Sequence, residues 1–167
     1  AGATPPTRPL ADGEAAGQVQ RFDPYPGYVE YVGRSLDLER LKAADMSVLV
    51  LGRGSNLVVS DTGFDGLVIR LGSSFGRVEI DGTVVRAGGA APLAQVARSS
   101  VEAGLTGLEF FIGVPGSVGG AVRQNAGCFG TETRDRLIEA SIVDLKDGAV
   151  GRFGPDDLEL SYRHSNV

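Results

Sequence analysis

Apolar and polar positions along the chain fall into blocks whose period changes from segment to segment. Tyr28, Val29, Tyr31 and Val32 follow the turn formers Pro24, Pro26 and Gly27 and predict a strand, with the tyrosines covering a sheet. Leu36, Leu38, Leu41 and Ala44 then fall on one helical face behind Ser35, a candidate N-cap, so 35–45 reads as a helix. Val48–Leu51 and Leu67–Leu71 are short, mainly apolar runs, expected to be buried strands, with a turn at Gly63–Gly66 between them. This order of strand and helix predicts a small α/β lobe over 21–71.

Beyond residue 71 the pattern changes. RVEIDGTVVRAGG alternates about Asp81-Gly82, a dipeptide suited to a two-residue hairpin turn whose central residues both take positive φ. EASIVDLKDGAVGRF turns in the same manner around Asp147-Gly148. Between these hairpins Leu93, Val96, Ala97 and Val101 recur at helical spacing, with Gly104 placed to end the helix. Hairpins interrupted by helices predict a mostly antiparallel α+β lobe over 72–167. Residues 1–20, rich in Pro, Ala and Gly and without an apolar period, read as a loosely ordered arm.

Composition narrows the function classes. The 167 residues suffice for one ordinary domain or two small lobes with a real core. With 16 Lys+Arg against 21 Asp+Glu the net charge is -5, which argues against nucleic acid as a partner. A small phosphorylated ligand stays open, because backbone amides bind phosphate in an acidic protein. A single cysteine, Cys128, and a single histidine, His164, exclude an internal disulfide and a multi-cysteine metal site, so no metal is expected. No run approaches the roughly 18 apolar residues of a membrane span and no basic leader precedes an apolar segment, which points to a cytoplasmic protein without a membrane partner.

The 25 glycines cluster beside apolar strands, where backbone turns tightly or touches something closely. In Gly52-Arg53-Gly54-Ser55-Asn56-Leu57 a dinucleotide fingerprint lacks its third small residue and the helix after it, and a P-loop lacks its Gly-Lys-Ser/Thr. A second loop, Gly113-Val114-Pro115-Gly116-Ser117-Val118-Gly119-Gly120-Ala121, leads to Asn125-Ala126-Gly127-Cys128. The glycines in both remove Cβ atoms, so main-chain N–H groups can approach an anion, while Ser55, Asn56, Ser117 and Asn125 add neutral hydrogen-bond partners. Two such loops could hold a diphosphate from opposite sides; tight turns between strands account for either loop alone equally well.

Taken together, GRGSNLVVSDTGFDGLVIRL, GLTGLEFFIGVPGSVGGAVRQNAGCFGTE and ELSYRHS resemble the UDP-N-acetylenolpyruvoylglucosamine reductase family, flavoenzymes that complete UDP-N-acetylmuramate in peptidoglycan synthesis. The resemblance runs in order from about Val48 to Ser165. It implies an α+β fold, the FAD-binding module of the vanillyl-alcohol oxidase type, with FAD between two α+β lobes. It also implies that Gly52–Leu57 cradle the FAD diphosphate, while Pro115–Ala121, with Asn125 and Gly127, line the opposite wall. The implied cofactors are FAD and NADPH, and the implied partner is a small sugar nucleotide.

In that family NADPH is the hydride source and the enolpyruvyl β-carbon the acceptor, with negative charge developing toward the carboxylate. A planar cation beside that carboxylate meets the physical requirement, and Arg163 matches the family's position for it. Tyr162 is implied to contact the substrate's nucleotide portion, with packing at a strand end as the competing reading. His164 is read as a bystander, and Cys128 as a small neutral loop residue, not a covalent flavin attachment. Arg53 occupies a position often held by glycine; its side chain either covers the diphosphate or points to solvent.

Where the family opens with a Gly-Gly-Pro-Ala type turn, this chain has LADGEAAGQVQRF. The family's serine proton donor and late glutamate belong to a further substrate-binding domain, and neither can be assigned to a residue here. Two other functions stand beside the reductase: an oxidase of the same fold, and a non-catalytic flavin-binding domain.

Overall fold

The computed structural model describes residues 46–167. The expected arm, the tyrosine-bearing strand and the helix over 35–45 lie outside the described residues, as does the 21–45 part of the proposed lobe over 21–71.

The described part is α+β. Strand β1 (Val48–Leu51) pairs in parallel with β2 (Leu67–Arg70), Val48 opposite Leu67 and Leu51 opposite Arg70. Both strands stand where the apolar runs predict them, but they are not buried throughout: alternate residues face outward, and Val50 is 53% and Val68 44% exposed. A mainly apolar run therefore overstates burial here, because a two-stranded ribbon turns every second side chain to its other face.

Strands β3 (Val78–Asp81) and β4 (Val84–Ala87) form an antiparallel hairpin with Asp81 opposite Val84. Its central residues are Gly82 and Thr83, not Asp81-Gly82, and of the two only Gly82 has positive φ, 59°. Glycine leading the turn is the arrangement that needs positive φ once, and it leaves the Asp81 carboxylate to pair with Arg86 at 2.9 Å. Both central residues take positive φ instead in the short hairpin of β5 (Gly127–Cys128) and β6 (Thr131–Glu132), at Phe129 and Gly130. The last hairpin, β7 (Ala140–Val143) with β8 (Val150–Phe153), encloses Asp147-Gly148 in a longer loop.

Helix α1 (Leu93–Glu102) buries Leu93, Val96, Ala97 and Ser100, and the chain leaves it through Gly104 at φ 76°. Val101 is 56% exposed, against the expectation that it joins this face. At 100° per residue it lies about 90° from the middle of the Leu93–Val96–Ala97–Ser100 stripe. Ser100 takes the inward place, its hydroxyl donating to the Val96 carbonyl at 2.8 Å and so entering the core satisfied.

Two apolar clusters organise the rest. Ala91, the α1 face, Phe110, Phe111 and Ala121 form one, covered by Val78, Val85 and Ala87 of the β3–β4 hairpin. Val122, Leu158 and Leu160 form the other, against Ala140, Ile142 and Phe153 of the β7–β8 hairpin. Ala121 and Val122 are neighbours on helix α2 (Val118–Gln124), so this one short helix is fastened into both clusters.

Glu109, in the 3-10 turn Glu109–Gly113 after α1, holds its carboxyl below the usual glutamate range. The Thr106 hydroxyl donates to it at 2.7 Å, its own and the Gly107 N–H groups add to the shift, and Arg136 is nearby.

Candidate functional site

The turn Gly52–Leu57 leaves β1 and meets the loop that leads into α2. Ser55 Oγ donates to the Pro115 carbonyl at 2.8 Å, joining two segments sixty residues apart in sequence. Gly52 packs against the buried Ser117: a Cβ on this glycine would stand 2.8 Å from Ser117 Oγ. Gly116 has φ 146°, a conformation open to glycine, and a Cβ there would approach Ser55 Oγ to 3.3 Å. The two glycine loops thus close on each other through contacts that side chains would obstruct.

A third segment, unanticipated from sequence, completes the cradle. Gly88–Ala91 leaves β4 and runs beside the start of α2, where Gly119 N donates to Gly89 O at 2.8 Å and Val118 N to Ala91 O at 3.0 Å. The Gly116 carbonyl accepts from Leu93 N at 3.2 Å. A Cβ on Gly119 would stand 3.1 Å from Gly89 O, and one on Gly88 would run into the Phe75 carbonyl. The Gly88-Gly89 pair at the end of a strand was the available signal, hidden by its reading as a hairpin tail.

The remaining loop residues divide by position. Arg53, Gly54, Asn56 and Leu57 are exposed, with Gly54 at φ 72°. Gly120 is exposed beside Ser117, whereas Val118 and Ala121 face the first apolar cluster. This surface, poor in Cβ atoms and exposed at its turns, fits a group bound through main-chain donors, as a diphosphate is.

Asn125 and Gly127 lie at the opposite end of α2. Asn125 is 3% exposed, in the left-handed conformation (φ 43°, ψ 50°), and all of its side-chain hydrogen-bonding groups are engaged within the chain. Its Nδ2 donates to Glu132 Oε2 at 2.9 Å and to the Ser161 carbonyl at 3.2 Å, and its Oδ1 accepts from Arg134 N at 2.9 Å. Gly127 is required by the hairpin, since a Cβ there would stand 2.7 Å from Thr131 O.

Through Asn125 the helix reaches the arginine motif. Ser161–His164 is a tight turn closed by Ser161 N to His164 O at 3.2 Å and His164 N to Ser161 O at 3.1 Å. Tyr162 and Arg163 form its tip. Tyr162 is 78% exposed, so it is not packed at a strand end. Arg163 has φ 53°, where glycine is usual, and its guanidinium carbon stands 5.5 Å from the Tyr162 ring centroid. An exposed, planar cation on a conformationally restricted tip is suited to pairing with a carboxylate.

A family model described as an FAD binding domain matches residues 38–154. The UDP-N-acetylenolpyruvoylglucosamine reductase of Parvibaculum lavamentivorans is 46% identical over 144 residues, covering 83% of this chain and 46% of the relative. That of Methylorubrum populi is 52% identical over 130 residues, covering 76% and 42% respectively. The crystal structure of the UDP-N-acetylenolpyruvylglucosamine reductase from Thermus caldophilus superposes with a TM-score of 0.65 at 36% identity, covering 77% of this chain and 47% of that one. The chain spans less than half the length of the curated relatives it matches. Among the described residues no helix is long and apolar enough to cross a membrane.

Proposed function

Because this chain belongs to the FAD-binding domain family, we propose that it is the cofactor-holding part of an NADPH-dependent reductase that converts UDP-N-acetylglucosamine enolpyruvate to UDP-N-acetylmuramate in the cytoplasm. When bound, FAD supplies hydride transfer from NADPH to the enolpyruvyl β-carbon. The main chain of Gly52–Leu57, of Pro115–Ser117 and of Gly120 would hold its diphosphate, while the Val118 and Gly119 N–H groups are committed to the Ala91 and Gly89 carbonyls. Asn125 and Gly127 serve the frame of the site and not its wall.

Arg163 pairs with the substrate carboxylate and stabilises the charge that builds there as the β-carbon accepts hydride. Tyr162 packs against the guanidinium and is exposed enough to meet the nucleotide portion. The proton added at the neighbouring carbon comes from outside the residues assigned here.

One observation carries this reading: the Ser55–Pro115 hydrogen bond joins both glycine loops, on the same compact unit as the arginine turn. The test is Arg163→Lys in the full-length FAD-loaded protein. Loss of the fork with retention of charge is expected to lower turnover of the enolpyruvyl sugar nucleotide about 100-fold, on the order of 3 kcal/mol. Unchanged turnover refutes the role, and faster flavin reoxidation by oxygen than by this substrate assigns the fold to an oxidase.

A further inference from the structure

The tip that carries Arg163 is attached to the rest of the molecule through its base, at the end of α2 and at Arg134 in the 3-10 turn Thr133–Asp135. Asn125 Nδ2 donates to the Ser161 carbonyl at 3.2 Å, Arg134 Nη1 to the Leu160 carbonyl at 3.1 Å, and Arg123 Nη1 to the Ser165 carbonyl at 3.3 Å. The Ser165 hydroxyl, on a residue 2% exposed, returns a bond to the Arg123 carbonyl at 2.9 Å. Both legs of the turn are therefore tied to one helical terminus. The other terminus of that seven-residue helix begins at the glycine loops, beside Ser117 and Gly89.

We propose that Asn125 is a positioning residue for the arginine turn: it fixes Ser161, and so the tip carrying Arg163, relative to the glycine loops, and does not contact the cofactor. The proposal rests on the role given to Arg163 above. Asparagine meets two demands together at this position. It tolerates the left-handed backbone better than other residues with a β-carbon. Its amide also offers the two donors and one acceptor that Glu132, Ser161 and Arg134 require. An aspartate of the same shape keeps the acceptor toward Arg134 N but sets a carboxylate against the Glu132 carboxylate and the Ser161 carbonyl. The turn then loses its tie and gains repulsion.

The experiment uses the full-length protein and a double-mutant design. Asn125→Asp is compared with wild type, and both are compared again in an Arg163→Ala background. Three quantities are measured: FAD affinity of the apoprotein, calorimetric affinity of the FAD-loaded protein for UDP-N-acetylglucosamine enolpyruvate, and turnover. Asn125→Asp is expected to leave FAD affinity within about twofold of wild type. Substrate affinity and turnover fall about tenfold, as a displaced contact group implies. In the Arg163→Ala background the same change has no further effect, because a residue acting through Arg163 has nothing left to position.

Loss of FAD binding by Asn125→Asp overturns the proposal in favour of a cofactor contact. An equal additional loss in the Arg163→Ala background also overturns it, in favour of general destabilisation. If Arg163→Ala is itself without effect, the proposal falls together with the role of Arg163. Arg134→Ala, at an exposed residue, removes the neighbouring tie at Leu160, so the same cycle decides the matter if Asn125→Asp does not fold.

Discussion

Replacing Ser55 by alanine deletes the hydroxyl that joins the two glycine loops and little else. The bond to the Pro115 carbonyl is 2.8 Å long and lies at an exposed residue, so water competes for both partners. Its net contribution then falls at the lower end of the usual range, about 0.5–1 kcal/mol. Since the bond exists within the protein chain, the apoprotein loses this amount before any ligand is added, a fall in melting temperature of about 1–4 °C for a domain of this size. The loosened loops must be reordered on binding, so FAD affinity falls by up to about fivefold. Fluorescence quenching of FAD and thermal unfolding of the apoprotein measure the two effects separately. Ser55→Thr keeps the hydroxyl and should behave nearly as wild type in both. If Ser55→Ala weakens FAD binding without changing apoprotein stability, the hydroxyl acts on the cofactor directly and the cross-loop bond is not what holds the two loops together.

Leu93→Ala, at a residue 1% exposed, should destabilise by about 2–5 kcal/mol in chemical denaturation, through lost burial and the cavity left behind. Val101→Ala on the same helix should stay within about 0.5 kcal/mol, as at other exposed sites. Equal losses at the two positions would contradict the orientation of α1. Glu109 holds its carboxyl below the usual range chiefly through the Thr106 hydroxyl, so between its folded and unfolded values the unfolded chain binds more protons. Its contribution is present above the ordinary glutamate value of about 4.3 and is lost as pH falls through the folded value. Glu109→Gln should therefore flatten the acid limb of stability against pH, read from thermal unfolding in a pH series; an unchanged limb would exclude this residue as a source of it.

Local chemistry was legible in the sequence wherever a few consecutive residues decide the outcome. The period of Leu93, Val96 and Ala97 marks α1 and Gly104 ends it at positive φ, because side-chain period and the absence of a Cβ act over a single turn. The β3–β4 and β7–β8 hairpins were legible for the same reason, although which residues occupy the β3–β4 turn depends on register, set by Asp81 facing Val84. Three stretches in order were also enough to indicate the family.

Tertiary structure decided what lies between those stretches. That Ser55 meets Pro115, that Gly89 runs along Gly119, and that Val101 turns outward while Ser100 turns in are outcomes of packing among distant segments. Asn125 shows the difference most clearly: its residue type suits both a ligand contact and a buried junction, and sequence favoured the first. In the fold its amide is committed to Glu132, Ser161 and Arg134, residues 7, 36 and 9 positions away. A side chain's hydrogen-bonding capacity is fixed by its chemistry, but its partners are fixed by which segments the apolar clusters bring within about 3 Å of it.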